Sequence, residues 1–494
     1  MTLDIAKSEA LGADRMNGTK KHIHLSGICG TAMASLAGLL QLEGHRITGS
    51  DKAAYPPMSD LLRDLGIPVY EPYAESNLGG NQEPVPDLVV IGNALSRGNP
   101  EVERVLDERI TFTSMAALLR EEFLRGREPL VVAGTHGKTT TTSMLAWIYQ
   151  VAARDNSAFE PSFLIGGVAE NFGSSFQFRS TRTFIVEGDE YDTAFFDKGP
   201  KFLHYFPDAL ILTHVEFDHA DIYANLDAVK TAFKRLVNLV PRRGVIVAFD
   251  GSENVTECVA HAFCPVERYG FSEGSAWRIR NLAQERGRMT WEVWRDGARW
   301  TKLEMGLAGE HNALNATAAA ALAFHRGVPV QAIATALREF KSVKRRLEVR
   351  AEIGGITIIE DFAHHPTAIR ETLKTLRAVY PQARLWAVLE PRSNTLRRKV
   401  LEGELVASLR HADRVVLAGV YQQERIAEDE RLHPEDVVRA LNAEGTAAEL
   451  RPDVDAIVES LAQQLRSGDV VAILSNGGFG GIYEKLPTRL RERA

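Results

Sequence analysis

The apolar run Pro129-Leu130-Val131-Val132-Ala133 leads directly into Gly134-Thr135-His136-Gly137-Lys138-Thr139, and helical apolar spacing follows through Ile148. A buried strand, a glycine turn and a helix in that order restrict the surrounding chain to α/β layers around a mainly parallel sheet. The order recurs twice. His22-Ile23-His24-Leu25 enters Gly27-Ile28-Cys29-Gly30 ahead of a helical pattern over residues 32–42, and Ile356-Thr357-Ile358-Ile359 opens a third unit. Further apolar runs predict strands at 46–51 and 87–91 in the first unit, at 183–186, 209–212 and 244–248 in the second, and at 385–389, 414–417 and 470–474 in the third. Residues 289–303 alternate as an antiparallel region does, and residues 312–324 and 330–340 predict helices.

A chain of 494 residues exceeds what one core serves, so about three domains are expected. The charged stretch 120–128 and the basic cluster 341–346 place the boundaries, giving residues 1–126, 127–341 and 342–494. With 45% hydrophobic and 25% charged residues the composition is that of a globular protein, and a net charge of -7 offers no general basic surface for nucleic acid. Small molecules are the expected partners. Residues 1–20 lack the continuous apolar segment of a signal peptide or membrane span, so the expectation is a cytoplasmic protein with no membrane partner. Cys29, Cys258 and Cys264 are too few and too unevenly spaced for a disulfide framework or a four-thiolate metal site.

In the loop 134–139 the glycines let backbone N–H groups close around phosphate oxygens. Lys138 can neutralise phosphate charge, Thr139 can offer its hydroxyl to magnesium, and the following helix points its positive end at the anion. The spacing departs from the standard phosphate loop, because Val132 stands where the first glycine would be. A purely structural glycine turn is the alternative.

Other polar clusters also follow apolar strands. Glu187-Gly188-Asp189-Glu190-Tyr191-Asp192 would gather carboxylates at a strand's carboxyl end, where α/β ligand sites lie, and hard oxygens suit magnesium. Without the phosphate loop it would read as a solvated acidic loop. In Glu216-Phe217-Asp218-His219-Ala220-Asp221, His219 is a candidate for metal or phosphate, or a capping histidine. Asn312 and Asn315 lie three apart on one helix face, suited to reading an adenine ring or to capping. Arg345 and Arg346 can stabilise charge on a transferring phosphoryl group or belong to a solvated linker. Asp361-Phe362-Ala363-His364-His365-Pro366 puts an acid and two histidines after a strand, as a site or as a turn before a helix.

Taken in order, these segments resemble the Mur ligases, which add amino acids or peptides to the UDP-muramic acid precursor of the bacterial cell wall. The resemblance covers nearly the whole chain. It implies an N-terminal Rossmann-like UDP-sugar domain, a central P-loop ATPase-like domain and a C-terminal Rossmann-like domain for the amine donor. It implies ATP and Mg2+ as cofactors, with ATP held by Gly134, Thr135, His136, Gly137, Lys138, Thr139, Thr140, Asn312, Asn315 and Arg346. The metal would lie on Thr139, Glu187 and His219. Lys138, Arg346, Asp361 and His219 would be catalytic, Asp361 as a contact for the incoming amine or the nucleotide. Gly30 and Thr31 would lie near the pyrophosphate of the UDP-sugar, and Ser50 or Asp51 near its nucleoside. The family reaction runs through an acyl phosphate, since a carboxylate must be activated before an amine attacks it.

Within the family, the start of the chain and His364-His365-Pro366 resemble the member that adds free L-alanine to UDP-N-acetylmuramate. Residues 55–59, 92–100, 191–198, 390–395 and 475–481 resemble instead the recycling member, which takes the murein tripeptide L-alanyl-γ-D-glutamyl-meso-diaminopimelate. The tripeptide is therefore the expected amine donor, with Arg392, Ser393 and Asn394 expected to meet its carboxylates. Two other classes compete: an ATP-binding switch without ligation, and an oxidoreductase. The second is disfavoured because Gly27-x-x-Gly30 carries Cys29 and Ala32 where a dinucleotide fingerprint needs glycines.

Overall fold

The structure is a computed structural model that describes residues 20–493 apart from 55, 57, 81–83 and 286. The reading of residues 1–20 as lacking a leader, and part of the stretch 55–59, lie outside the described residues or nearly so.

Three large sheets follow the three predicted units, beside a small two-stranded one of Asp192–Ala194 and Asp197–Pro200. The first has five parallel strands in the spatial order Val69–Tyr70, Arg46–Ser50, His22–Ser26, Leu88–Ile91, Phe112–Ser114. Its order reverses beside His22–Ser26, so the crevice of an open α/β sheet falls at Gly27–Gly30. The central sheet has ten strands. Glu128–Ala133 lies between Thr183–Gly188 and Ala209–Leu212, all parallel. The predicted antiparallel region is a meander of Trp277–Glu285, Arg288–Arg295 and Ala298–Met305 at one edge. The third sheet has six strands, with Ile356–Asp361, Val470–Leu474 and Leu385–Leu389 adjacent and parallel at its centre.

The charged stretch before the phosphate loop is not an open linker. Arg120–Leu124 forms a π-helical turn that buries Phe123 and Leu124. The first two units share a hydrophobic core across that boundary. The helix Thr31–Leu42 packs on the hairpin Ser162–Ala169 and Ser174–Gln177 of the central unit, where Gly38 leaves room for the Phe176 ring: a Cβ at 38 would stand 2.2 Å from it. Ser35 and Ser175 hydroxyls meet at 2.7 Å in this seam. Among the described residues no helix is long and apolar enough to cross a membrane.

Candidate active site

The carboxyl ends of three neighbouring central strands supply the parts of the site. Glu128–Ala133 delivers the phosphate loop, Thr183–Gly188 delivers Glu187, Asp189 and Glu190, and Ala209–Leu212 delivers residues 213–219. Parallel register makes this convergence unavoidable, since all three chains leave the sheet on the same edge. Two glycines are required in the loop. Gly134 has φ +133, and a Cβ there would meet Thr213 Oγ1 at 2.1 Å; Gly137 has φ +78, and its Cβ would meet Asn315 Oδ1 at 2.6 Å. The loop is tied to the neighbouring strand exit by Thr135 N–H donating to His214 O at 2.7 Å and by Glu216 N–H donating to Thr135 Oγ1 at 2.9 Å.

Lys138, at the start of the helix Lys138–Ala152, donates from Nζ to Gly134 O at 2.8 Å and lies 2.9 and 2.8 Å from the two Glu190 oxygens. His219 Nε2 donates to Glu190 Oε1 at 3.1 Å, so one buried carboxylate holds both cations. Burial opposes both charges, yet the surrounding acids prevail. The Lys138 ammonium is raised by Glu190 and Asp189, and the His219 imidazolium reaches about 9 through its Glu190 hydrogen bond and Asp218. Burial raises Glu187 despite Lys138. Thr139 Oγ1 donates to Glu187 Oε1 at 3.0 Å, while Glu187 Oε2 accepts from Gly166 N–H at 2.7 Å. An abutting hydroxyl and half-buried carboxylate form a pair of hard oxygens that fits a divalent cation.

The asparagines are not caps. Gly309 begins the helix Glu310–His325, Asn312 donates from Nδ2 to Ala308 O at 2.7 Å, and Asn315 faces Gly137 of the phosphate loop. The two arginines at the junction separate cleanly. Arg345 is paired with Glu360 and donates to Ser475 O and Gly477 O, whereas Arg346 makes no ion pair among the described residues and lies 5.0 Å over the Phe362 ring. Arg345 and Leu347 have φ +65 and +49, and Asp361 braces this turn. Its Oδ2 accepts Leu347 N–H at 2.8 Å, and its Oδ1 accepts Ala363 N–H at 2.9 Å and Thr372 Oγ1–H at 3.2 Å.

The third unit presents its strand exits to the same place. His136 Nε2 donates to Glu216 Oε2 at 3.1 Å, Thr367 Oγ1 donates to the same oxygen at 2.6 Å, and His365 Nε2 donates to Phe217 O at 3.2 Å. Thr395 Oγ1 donates to Asp218 Oδ1 at 2.5 Å. Burial lowers His136 to about 4, leaving it a neutral donor. His136, Glu216 and His365 lie close enough to surround an ion, but internal hydrogen bonds already use them as a latch between the central and third units. Glu216, Thr367 and Thr395 received no role from sequence, and Glu190 only a share in the acidic cluster 187–192; the signal available was their position in or next to segments that follow predicted strands.

Three regions of the chain match the parts of one family in order. Residues 22–126 match the Mur ligase family catalytic domain, 132–323 the Mur ligase middle domain, and 345–477 the Mur ligase glutamate ligase domain. The chain belongs to the Mur ligase family. A Mur ligase of Escherichia coli K12, the UDP-N-acetylmuramate–L-alanyl-γ-D-glutamyl-meso-2,6-diaminoheptandioate ligase, is 43% identical over 473 residues, covering 96% of this chain and 99% of its own. A UDP-N-acetylmuramate–L-alanine ligase of Acidithiobacillus ferrooxidans is 32% identical over 477 residues, covering 94% and 97%. The solved murein peptide ligase of Psychrobacter arcticus 273-4 superposes with a TM-score of 0.73 at 35% identity, covering 95% of this chain and 98% of that one. Three parallel-sheet α/β units are thus the Mur ligase architecture, as the sequence pattern predicts.

The remaining expected site residues fall in two places. Gly30 is exposed at the start of the helix Thr31–Leu42, beside Thr31. Asp51 accepts Cys29 N–H at 2.9 Å and the Tyr73 hydroxyl at 3.3 Å, bracing this crevice, while Ser50 is wholly buried and donates to Glu101 Oε2 at 2.6 Å. Thr140 is buried in the helix behind the phosphate loop. Ser393 donates to His364 O at 3.3 Å, and Asn394 donates to Asp221 Oδ2 at 2.7 Å and the Tyr191 hydroxyl at 3.1 Å, so both are engaged at the seam between units. Arg392 stacks 3.9 Å over Tyr421.

Proposed function

We propose that this Mur ligase joins UDP-N-acetylmuramate to the tripeptide L-alanyl-γ-D-glutamyl-meso-diaminopimelate, using ATP and Mg2+, in cell-wall peptide recycling. What carries the choice of amine donor is the E. coli relative, 43% identical along nearly its whole length, against 32% for the L-alanine ligase.

Lys138, Arg346 and His219 are the cations for the phosphoryl group, and the loop 134–140 with Asn315 shapes its cradle. Thr139 and Glu187 would hold the metal, while His219, engaged by Glu190, serves as a cation instead of the ligand expected from the resemblance; magnesium held there would offset phosphate charge and polarise the transferring group. The muramoyl carboxylate attacks the γ-phosphate to give an acyl phosphate and ADP. The peptide's L-alanyl amine then attacks the acyl carbon, and phosphate leaves. Asp361 acts as a positioning residue: it fixes the turn that carries Arg346. Gly30, Thr31 and Asp51 line the crevice assigned to the UDP-sugar. Contact between the third unit and the phosphate loop excludes water that would hydrolyse the acyl phosphate.

The test is to supply ATP, Mg2+ and UDP-N-acetylmuramate with either L-alanine or the tripeptide and to weigh the products. Preference for the tripeptide is expected; preference for free alanine overturns the reading.

A further inference from the structure

Beside the seam residues of the third unit lie three arginines of which only Arg398 makes an ion pair among the described residues, with Glu430. Arg397 is half-buried, donates to Tyr421 O at 3.2 Å and to Asn394 Oδ1, and makes no ion pair among the described residues. Its Nε–H is buried without an acceptor. Arg398 stands next to it, held by Asn394 O at 2.6 Å and Glu430 at 3.3 Å, and Arg425 is exposed and unpaired among the described residues. Burial first, then the charges of Arg398 and Arg425, push the Arg397 guanidinium below its ordinary value; the Asp221 carboxylate opposes this only in part. The buried Nε–H of Arg397 lacks an acceptor while two further guanidinium groups stand beside it, a setting that an added anion would complete.

We infer that Arg397, flanked by Arg398 and Arg425, is the subsite for the carboxylates at the distal, third residue of the amine-donor peptide. The inference rests on the tripeptide reading above and adds the residues that enforce it. Position supports it. From the catalytic His219, Tyr191 packs edge-on at 4.9 Å, its hydroxyl meets Asn394 at 3.1 Å, and Asn394 in turn holds Arg397. Arg397 is thus linked to the phosphoryl-transfer residues through two side chains, Tyr191 and Asn394, and a tripeptide of about 10 Å extended length is the donor that could reach that far. A peptide with its amine at the acyl phosphate would place its far end over the arginines. Guanidinium suits this task because its planar fork pairs with carboxylate oxygens two at a time. Free L-alanine, with its only carboxylate next to the amine, could not reach them.

The experiment measures steady-state kinetics of the full-length enzyme and of Arg397→Ala and Arg397→Lys. The substrates are the tripeptide and an analogue whose third-residue carboxylates are amidated. For the wild type, amidation is expected to raise the peptide KM about 10- to 100-fold. Arg397→Ala should raise the tripeptide KM by a similar factor, leave the KM of ATP and of UDP-N-acetylmuramate within about twofold, and lose little more on amidation. Arg397→Lys should recover part of the loss. An unchanged tripeptide KM in Arg397→Ala, or full sensitivity of that variant to amidation, overturns the inference while leaving the tripeptide reading intact. Absence of wild-type product with the tripeptide overturns that reading and this inference with it.

Discussion

Lys138 and Glu190 are locked together at the centre of the site, the ammonium 2.8 Å from one carboxylate oxygen and 2.9 Å from the other, with His219 on the same carboxylate. Fifty-two positions separate them in sequence. Adjacent parallel strands deliver both to one sheet edge, and burial makes each charge dependent on the other. The arrangement pre-positions a lysine and a histidine as cations for the phosphoryl group of the proposed reaction.

Replacing Lys138 with alanine should remove this cation without altering packing of the helix that carries it. Ligation should fall by at least about 100-fold, the scale of losing one stabilising donor at a developing anion. A native circular dichroism spectrum with undiminished product would contradict the assignment.

Gly137→Ala forces a side chain into left-handed backbone and against Asn315 Oδ1 at 2.6 Å. Strain of this kind costs on the order of 1–3 kcal/mol. Calorimetry should show ATP affinity reduced about tenfold or more, with a lowered Tm. Equal affinity in the variant would mean that the loop does not close around phosphate at this glycine.

Glu187→Gln retains the shape beside Thr139 but removes the charge. The Mg2+ concentration giving half-maximal ligation should rise at least about tenfold, and EDTA should abolish activity of both proteins. If the magnesium dependence does not move, the metal lies elsewhere.

His136 titrates near 4 in the folded chain because burial disfavours its charged form, against about 6.5 when unfolded. The unfolded chain therefore binds more protons between these values. The stability contributed by neutral His136 is present above about pH 6.5 and is lost as pH falls toward 4. Thermal melts should show Tm dropping over that window, and His136→Gln should flatten the drop. A variant as acid-sensitive as the wild type would assign the effect to other buried histidines.

Much of this molecule is readable without its coordinates. Apolar runs ending in glycine or acid marked the central strands, because a strand buried on both faces must be apolar throughout. The half-exposed strands did not stand out: Glu348–Ile353 and Ala447–Arg451 mix charges with apolar residues, and Ser162–Ala169 carries two glycines. The charges of the stretch 120–128 marked a domain boundary and gave no sign that Phe123 and Leu124 are buried within it.

By itself the sequence determined the α/β class, the phosphate loop and the order of the family's motifs, because these rest on local spacing and residue type. The resemblance singled out Arg346 rather than Arg345, but the physical reason appears only with the fold, which places Glu360 and two carbonyl oxygens beside Arg345. The same holds for Glu190, Thr367 and Arg397. Their partners are distant in the chain, and a charge acquires its role from whatever the tertiary structure brings within a few ångströms of it.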